Sequence, residues 1–311
     1  MVQENSSTKE PEIVIAIPCF NEAVTIAKVI QDFREELPGS EILVLDNNST
    51  DGSGQIAEAA GAKVHQVRKQ GKGHVLQAIF EIVSADALVL VDGDDTYDAR
   101  DVHNLLKPIL LKESDMVVGN RLSNVDDENM HMYRHFGNRM IVRAVNFMFG
   151  TKYQDILSGF RVFSRRFVET VPLLTPGFET ETEMTLQALE EGMIIDELPI
   201  AYRTRPQDSH SKLNPLRDGY RIILTAAMLL RDHNPLRLFG LISLLLLLGG
   251  LAMGLLLLLT ISGTLQLNVP ILLAGILLLL PLGALSFGIG LILNAVNTRF
   301  RQLKQIFQRN H

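Results

Sequence analysis

The C-terminal part of the chain carries the feature that most constrains its fold, a segment without any charged residue between Leu238 and Thr298. Two apolar runs fill it, Phe239–Gly263 and Val269–Ala295. Both exceed the roughly 20 residues that an α-helix needs to cross a bilayer. We therefore predict two transmembrane helices. A buried helical hairpin of a large soluble protein is the alternative.

The charges around this segment predict how it lies in the membrane. Basic residues stand outside both ends, whereas the connector SGTLQLN is uncharged. They are Arg231 and Arg237 before the first run and Arg299, Arg301, Lys304 and Arg309 after the second. Because positive residues favour the cytoplasmic side, both outer ends should face the cytoplasm. The polar N-terminus has no apolar signal segment, so we expect a multi-pass protein of the inner (plasma) membrane with a cytosolic N-terminal domain.

The rest of the chain has the composition of an ordinary globular domain, because all 29 basic and 35 acidic residues lie outside the uncharged segment. A net charge of −6 without a long basic block argues against nucleic acid as a partner. The single cysteine, Cys19, excludes a disulfide framework and a cysteine-based metal cage. This part must therefore fold around its own hydrophobic core.

Short apolar, β-branched runs alternate with helix-like stretches in the N-terminal part. The predicted strands are 13–17, 42–45, 87–91 and 115–118, and the predicted helices are 23–36, 53–60, 72–84 and 101–112. This alternation predicts an α/β fold with an open, mostly parallel, doubly wound sheet. Ligands of such sheets bind beyond the carboxyl ends of the strands, so the residues after each run are the candidate site.

Polar residues follow every predicted strand. Turns and helix N-caps favour Asp, Asn, Ser and Gly for local reasons, and this alternative stays open for Asn47, Asn48, Ser49 and Ser53. Asp92 and Asp94 differ, because they follow an apolar strand and flank a glycine, which brings two carboxylates to one edge of the sheet. Carboxylates this close repel unless a cation or a proton lies between them. They predict a site for Mg²⁺ or Mn²⁺ with a diphosphate.

These residues belong to motifs with a fixed order: PCFNEA, DNNSTDGS, GKG at 71–73, VDGDD, VVGNR, SGFR at 158–161 and SKL at 211–213. As a set they resemble the inverting family-2 glycosyltransferases of the Rossmann-like GT-A fold. With the C-terminal apolar pair, the chain is similar to the polyprenyl-phosphate branch, typified by dolichol-phosphate mannose synthase and bacterial polyisoprenyl-phosphate glucosyltransferases. The resemblance covers roughly residues 12–232 and, more loosely, the two apolar runs.

The resemblance implies a nucleotide-sugar site and a metal held by Asp92 and Asp94. The implied nucleotide-sugar residues are Pro18, Asn21, Glu22, Asp46, Asn48, Asp51, Lys72, Asp92 and Gly93. Thr96 departs from the pattern of the mannose synthases, which often have Gln at this position, so mannose specificity does not carry over.

The implied acceptor is a lipid phosphate, which is mostly dianionic at neutral pH and needs cations instead of a general base. The resemblance implies Arg121, Ser158 and Arg161 near this phosphate, with Arg139 and Lys212 as further candidates. Together with Asp92 and Asp94, the first three make up the predicted catalytic set. A solvated surface position is the alternative for each arginine. Asp155 either orients the arginines or caps a turn, and Glu181 and Glu183 either orient an arginine or the sugar, or act as a base.

We thus expect an enzyme that transfers a sugar from a UDP- or GDP-linked donor, a UDP-hexose or UDP-N-acetylhexosamine above all, to polyprenyl phosphate, with inversion. We also expect a homo-oligomer. A processive polysaccharide synthase is one alternative, but the chain has no Trp for the Q-x-x-R-W motif of those enzymes. An inactive sugar-nucleotide-binding scaffold is the other.

The predicted organisation has five parts. They are a flexible tail (1–11), a cytosolic catalytic domain (12–213), an interfacial amphipathic helix (214–235), two transmembrane helices within 236–298 (about 238–263 and 269–295) and a basic cytosolic tail (299–311). Within the catalytic domain, 137–150 is predicted as a second interfacial helix and 122–132 as a mobile lid. A core-packed amphipathic helix is the alternative for both interfacial segments.

Overall fold

The computed structural model describes residues 10–122, 139–173 apart from 140, 144 and 148, 180–203, 228, 231–232 and 234–309. The chain divides into two compact units, Met1–Gly219 and Tyr220–His311. The predicted lid beyond residue 122 and most of the predicted helix 214–235 lie outside the described residues. The predicted domain boundaries stay a prediction.

A mixed, mostly parallel sheet forms the centre of the first unit. Its strands are β1 (Ile13–Cys19), β2 (Glu41–Asp46), β3 (Lys63–Gln66), β4 (Ala87–Leu90), β5 (Met116–Asn120), β6 (Arg161–Ser164) and β7 (Ile195–Pro199). Within the described residues the strand order is β3-β2-β1-β4-β6-β5-β7. Only β6 is antiparallel to its neighbours, β4 and β5. The α/β fold class predicted from the sequence is confirmed.

Helices cover both faces of this sheet. They are α1 (Ile26–Glu36), α2 (Ser53–Ala59), α3 (Lys72–Ile82), α4 (Val102–Leu110), α5 (Arg165–Thr170) and α6 (Thr180–Glu190). The described residues between 139 and 149 are helical too. In α1 the buried residues Ile26, Val29, Ile30 and Phe33 recur at helical spacing and therefore form one face.

Two hydrophobic clusters lie on opposite faces of the sheet, because successive side chains of a strand point to opposite sides. Ile15 and Ile17 of β1 belong to one cluster, and Val14 and Ala16 to the other. Strands buried on both faces read as continuous apolar runs, which is why β1, β2, β4 and β5 could be predicted.

The carboxyl ends of β1, β2, β4 and β5 meet at one edge of the sheet, which we call the rim. In register, Cys19 at the end of β1 lies beside Asp46 at the end of β2. Strand β6 runs the opposite way and begins at the rim, where Arg161 pairs with Leu90 and Val118. The turn before β6 therefore comes next to the residues that follow β4.

The second unit contains two long apolar helices packed together, α7 (Pro235–Ile261) and α8 (Val269–Arg309). Both are long and apolar enough to cross a membrane. Only 6% and 17% of their most apolar windows are buried, whereas a soluble protein would bury such surface. Helix α8 continues beyond the predicted end at 295, because the polar sequence that follows the apolar run is helical as well.

Candidate active site

The loops after β1 and β2 hold each other at the rim through side-chain to backbone hydrogen bonds. The backbone N–H of Asn21 donates to Ser49 Oγ (2.9 Å), and that of Glu22 donates to Ser53 Oγ (2.8 Å). In return, Thr50 N–H donates to Asn21 Oδ1 (2.8 Å). Both loops are thus fixed relative to one another, as a preorganised ligand site requires.

Two aspartates, one at the end of β2 and one in the loop after it, accept hydrogen bonds from within the protein. Asp46 accepts from the backbone N–H of Ser49 (3.0 Å) and from Gln66 Nε2 (2.8 Å). Asp51 accepts from the N–H groups of Ala23 (3.0 Å) and Ser53 (3.0 Å). Burial alone would raise the pKa of Asp51, but the hydrogen bonds from Ser53 and Ala23 lower it.

Among the other predicted nucleotide residues, Pro18 pairs with Leu45 one position before the end of the ladder between β1 and β2 and is half-buried. Asn48 is exposed, has a positive φ of 63° and donates through its side chain to Arg68 O. The structure brings Pro18, Asn21, Glu22, Asp46, Asn48 and Asp51 together at one part of the rim. Their contact with a nucleotide stays a prediction.

The loop after β4 carries the paired carboxylates. Asp94 is only 3% exposed, and its Oδ1 accepts from Thr96 Oγ1 (2.6 Å). The carbonyl of Gly93 accepts from Thr25 Oγ1 (2.6 Å), which ties this loop to the start of α1. Thr96, the position that departs from the mannose-synthase pattern, thus orients a predicted metal ligand.

Lys72 lies between two carboxylates. Its Nζ is 2.7 Å from Asp92 Oδ1 and 2.6 Å from Glu181 Oε1, so the ion pairs join α3, the loop after β4 and α6. Burial would lower the pKa of Lys72, but the two carboxylates raise it well above its ordinary value. Lys72 therefore stays charged at this edge of the sheet, and Glu181 serves as its partner in this structure.

Asp92 and Asp94 offer the hard oxygen ligands that Mg²⁺ and Mn²⁺ prefer. In the part of the chain that the structure describes, no three His, Cys, Asp or Glu side chains form a metal-ligand group. Two carboxylates fit a divalent cation whose remaining ligands are diphosphate oxygens and water. The chemistry of this donor set therefore agrees with the predicted metal, and its occupancy stays a prediction.

Arg121, directly after β5, is clamped by a buried carboxylate. Its Nε and Nη2 donate to the two oxygens of Asp155 at 2.7 and 2.8 Å, and its guanidinium lies 5.6 Å from the ring centre of Tyr202. Asp155 is fully buried. Glu197 on β7 in turn accepts from the backbone N–H of Asp155 (2.7 Å) and Gln154 (2.8 Å). Asp155 thus orients an arginine, and it also caps the following turn, because its Oδ1 accepts from the backbone N–H of Leu157 (3.3 Å).

Arg161 and Ser158 do not lie where the sequence prediction needs them. Both are 0% exposed. Arg161 donates to Ser158 O (2.8 Å), Ile156 O (2.5 Å) and Thr185 Oγ1 (3.1 Å). Oxygen atoms of the protein itself therefore accept the hydrogen bonds of its guanidinium group. Burial lowers the pKa of Arg161 to about 10. The predicted direct contact of these two residues with an acceptor phosphate is corrected to a supporting position beneath the rim.

Of the last two acceptor candidates, only Arg139 is among the residues that the structure describes. Arg139 is exposed in a helical stretch. Lys212 lies outside the described residues. Arg203, after β7, pairs with Asp98.

Sequence reasoning missed Glu197 and Tyr97, both of which support the rim. Glu197 lies on a short edge strand with the polar sequence IDELP, which gives no apolar run to recognise. Tyr97 follows the acidic loop after β4, and its buried hydroxyl accepts from Gly159 N–H at 3.0 Å. A tyrosine three residues after Asp94 was the one available signal.

Comparison with protein families matches residues 14–171 to Glycosyl transferase family 2. The chain is 38% identical to the glycosyltransferase AglJ of Haloferax volcanii over 73% of this chain and 75% of that protein. It is 26% identical to the dolichyl-phosphate hexose transferase of the same organism, over 68% of this chain and 90% of that protein.

A solved structure with the same fold is glucosyl-3-phosphoglycerate synthase from Mycobacterium tuberculosis in complex with Mn²⁺ and uridine-diphosphate-glucose. The two chains superpose with a TM-score of 0.59 at 23% identity, over 71% of this chain and 78% of that chain. This likeness shows the fold, which is GT-A-like, as the motifs implied.

Proposed function

The chain belongs to glycosyl transferase family 2, and we propose that this nucleotide-sugar glycosyltransferase moves a hexose or N-acetylhexosamine to polyprenyl phosphate at a membrane surface. Family membership is shown by the match over residues 14–171 and by the relative at 38% identity. The identity of the acceptor goes beyond family membership, and the dolichyl-phosphate hexose transferase among the relatives supports this part of the proposal.

The observation that carries the proposal is a fixed arginine at the same edge of the sheet as the paired carboxylates. Arg121 follows β5, and Asp92 follows β4. Of the described strands, only β6 lies between these two in the sheet. Asp155 takes two of the guanidinium donors of Arg121, which leaves others for a phosphate. A phosphate dianion is already a nucleophile, so it needs a fixed cation at the rim and no general base.

Asp92 and Asp94 would hold Mg²⁺ or Mn²⁺ against the diphosphate of the donor. Such a cation offsets the charge that builds on the departing nucleoside diphosphate. The structural neighbour was solved with Mn²⁺ and a UDP-sugar, which supports this assignment. Lys72 adds a second positive charge close to Asp92.

In the proposed reaction a phosphate oxygen of the lipid attacks the anomeric carbon as the bond to the diphosphate breaks. The new bond forms on the face opposite the leaving group, so the configuration inverts. Arg121 holds the attacking phosphate, while the loops after β1 and β2 hold the nucleotide. The role of these residues is to bring two anions together in line, which is a matter of charge and position.

The second unit supports a membrane surface as the place of the reaction. Helices α7 and α8 are long and apolar enough to cross a membrane, which supports an anchored enzyme. The basic residues outside both helices support a cytosolic position for the catalytic unit. A long-chain lipid phosphate presents its head group at that surface.

Purified full-length protein in vesicles tests the proposal. Labelled UDP-glucose, UDP-galactose, UDP-N-acetylglucosamine and GDP-mannose are each supplied with undecaprenyl phosphate or with undecaprenol, which lacks the phosphate. We expect labelled lipid from one or more donors with the phosphate only, lost on chelation and restored by Mg²⁺ or Mn²⁺. Transfer to neither lipid with any donor would contradict the proposed acceptor.

Arg121→Lys separates the acceptor site from the donor site. An ammonium keeps the charge next to Asp155 but loses the bidentate fork, so we expect the KM for lipid phosphate to rise roughly tenfold. Arg166→Lys is the matched control, because Arg166 pairs with Asp115 beyond the far end of β6. An equal rise in both variants would contradict the assignment of Arg121.

A further inference from the structure

The turn before β6 touches the donor carboxylate directly. A Cβ atom added at Gly159 would lie 2.2 Å from Asp92 Oδ2, far closer than two such atoms can approach. Any side chain at this position would push the turn and Asp92 apart. The absence of a side chain at Gly159 therefore allows the turn to lie against a predicted metal ligand.

A tyrosine hydroxyl holds this turn in place. The buried N–H of Gly159 donates to the hydroxyl of Tyr97 at 3.0 Å. Tyr97 is 5% exposed and comes three residues after Asp94. Its ring packs against Phe160, with 5.5 Å between the ring centres. The loop that carries Asp94 thus holds the turn through Tyr97.

The same tyrosine reaches the acceptor arginine from the other side. The ring centres of Tyr97 and Tyr202 are 5.6 Å apart, and the two residues form an antiparallel bridge. The guanidinium of Arg121 lies 5.6 Å from the ring centre of Tyr202. A short chain of contacts therefore joins Asp92, Gly159, Tyr97, Tyr202 and Arg121.

We propose that Tyr97 is a positioning residue that sets the distance between the donor carboxylate Asp92 and the acceptor arginine Arg121. It touches neither substrate and acts through Gly159 and Tyr202. In-line transfer between two anions depends strongly on their spacing, and a misplacement of about 1 Å can cost on the order of 100-fold in rate. This inference rests on the proposed function for the identity of the acceptor.

Tyr97→Phe is the variant that isolates the hydroxyl, because it keeps the ring and its contacts with Phe160 and Tyr202. We expect kcat to fall roughly tenfold, equivalent to about 1.4 kcal/mol, while the KM for lipid phosphate and the affinity for the nucleotide stay within twofold. A residue that only stabilised the fold would lower the melting temperature without this separation of kcat from KM.

Tyr153→Phe is the matched control. Tyr153 is half-buried beside the hydrophobic cluster on one face of the sheet, and within the described residues its hydroxyl makes no side-chain hydrogen bond. Removal of that hydroxyl should leave kcat unchanged. An unchanged kcat in Tyr97→Phe, an equal loss in both variants, or a loss confined to KM would overturn the proposal.

Amide hydrogen exchange tests the hydrogen bond without any substrate. In Tyr97→Phe, exchange of the segment 156–161 should rise at least severalfold, whereas the affinity for Mn²⁺, followed by electron paramagnetic resonance, should stay the same. Unchanged exchange would refute the role of Tyr97 even if the true acceptor were another molecule. Failure of the wild-type protein to use lipid phosphate would instead refute the proposed function and leave the exchange result to decide on Tyr97.

Discussion

Replacement of Arg161 by alanine gives the sharpest test of how the structure changes the sequence-based view of the site. If Arg161 bound the acceptor phosphate, Arg161→Ala would spare the fold and lose only acceptor binding. The structure predicts a different result, because the side chain is fully buried and its donors face three protein oxygens. We expect the variant to lose thermal stability before any separate effect on the acceptor can be measured.

The magnitude follows from what the substitution removes. Three buried oxygens, on Ile156, Ser158 and Thr185, would lose their donor, at about 1–3 kcal/mol each. The cavity adds about 2–5 kcal/mol. Against this, burial lowers the pKa of Arg161 to about 10, so removal of the charge returns about 3 kcal/mol. The net loss is at least about 2 kcal/mol and centres near 6, a large share of the about 5–15 kcal/mol that stabilises a typical domain.

Circular dichroism during thermal unfolding, together with calorimetry of nucleotide-sugar binding, provides the assay for full-length protein in detergent. Arg161→Met is the companion variant, because it fills most of the volume without donors and so separates the cavity from the lost hydrogen bonds. Arg161→Lys should recover part of the loss, since an ammonium reaches fewer of the three oxygens. A melting temperature within about 2 °C of wild type for Arg161→Ala, with normal nucleotide affinity and a raised KM for lipid phosphate, would refute this reasoning.

Three further predictions concern the rim. Asp94→Asn should weaken Mn²⁺ binding at least about tenfold by paramagnetic resonance, because it removes a ligand charge, and unchanged affinity would exclude Asp94 as a ligand. The pKa of Asp51 is lowered in the folded protein, so its stabilisation is present above about pH 4 and is lost as the pH falls. Asp51→Asn should therefore flatten the decline of melting temperature as the pH falls below about 4, and equal slopes would contradict this. Glu181→Gln leaves Lys72 with Asp92 as its remaining charged partner and should cost about 1.5–3 kcal/mol of unfolding free energy, measured by denaturant titration; an unchanged midpoint would show that the pair adds nothing.

The donor side of the site could be predicted from sequence because it follows a simple topological rule. Parallel strands buried on both faces are continuous apolar runs, and the residues after them must meet at one edge of the sheet. That rule placed Asp46, Asp51, Asp92 and Asp94 at the rim, where the structure has them, and it placed Arg121 there for the acceptor side. It needs only strand ends, which are easy to recognise for β1, β2, β4 and β5.

The rule fails for β6, and the reason is its direction. The sequence SGFR follows no predicted strand and resembles a site motif, but Arg161 is the first residue of a central antiparallel strand. Its ladder partners, Leu90 and Val118, belong to one hydrophobic cluster, so register turns the guanidinium toward that same face. A one-residue shift would have pointed the side chain to the other face, and no local signal in four residues fixes that choice.

Strand direction also explains how one sheet places the proposed donor residues and the proposed acceptor arginine at the same edge. The parallel strands deliver the donor residues at their ends, whereas the antiparallel strand begins at the rim, so the turn before it, with Gly159, crosses beside Asp92. On its other side, β6 pairs with β5, which ends in Asn120 just before Arg121. The turn and β6 therefore lie between the loop that carries the donor carboxylate and the strand that leads to the acceptor arginine. Because Tyr97 fixes that turn, a hydroxyl outside both substrate sites can govern the distance across which the sugar moves.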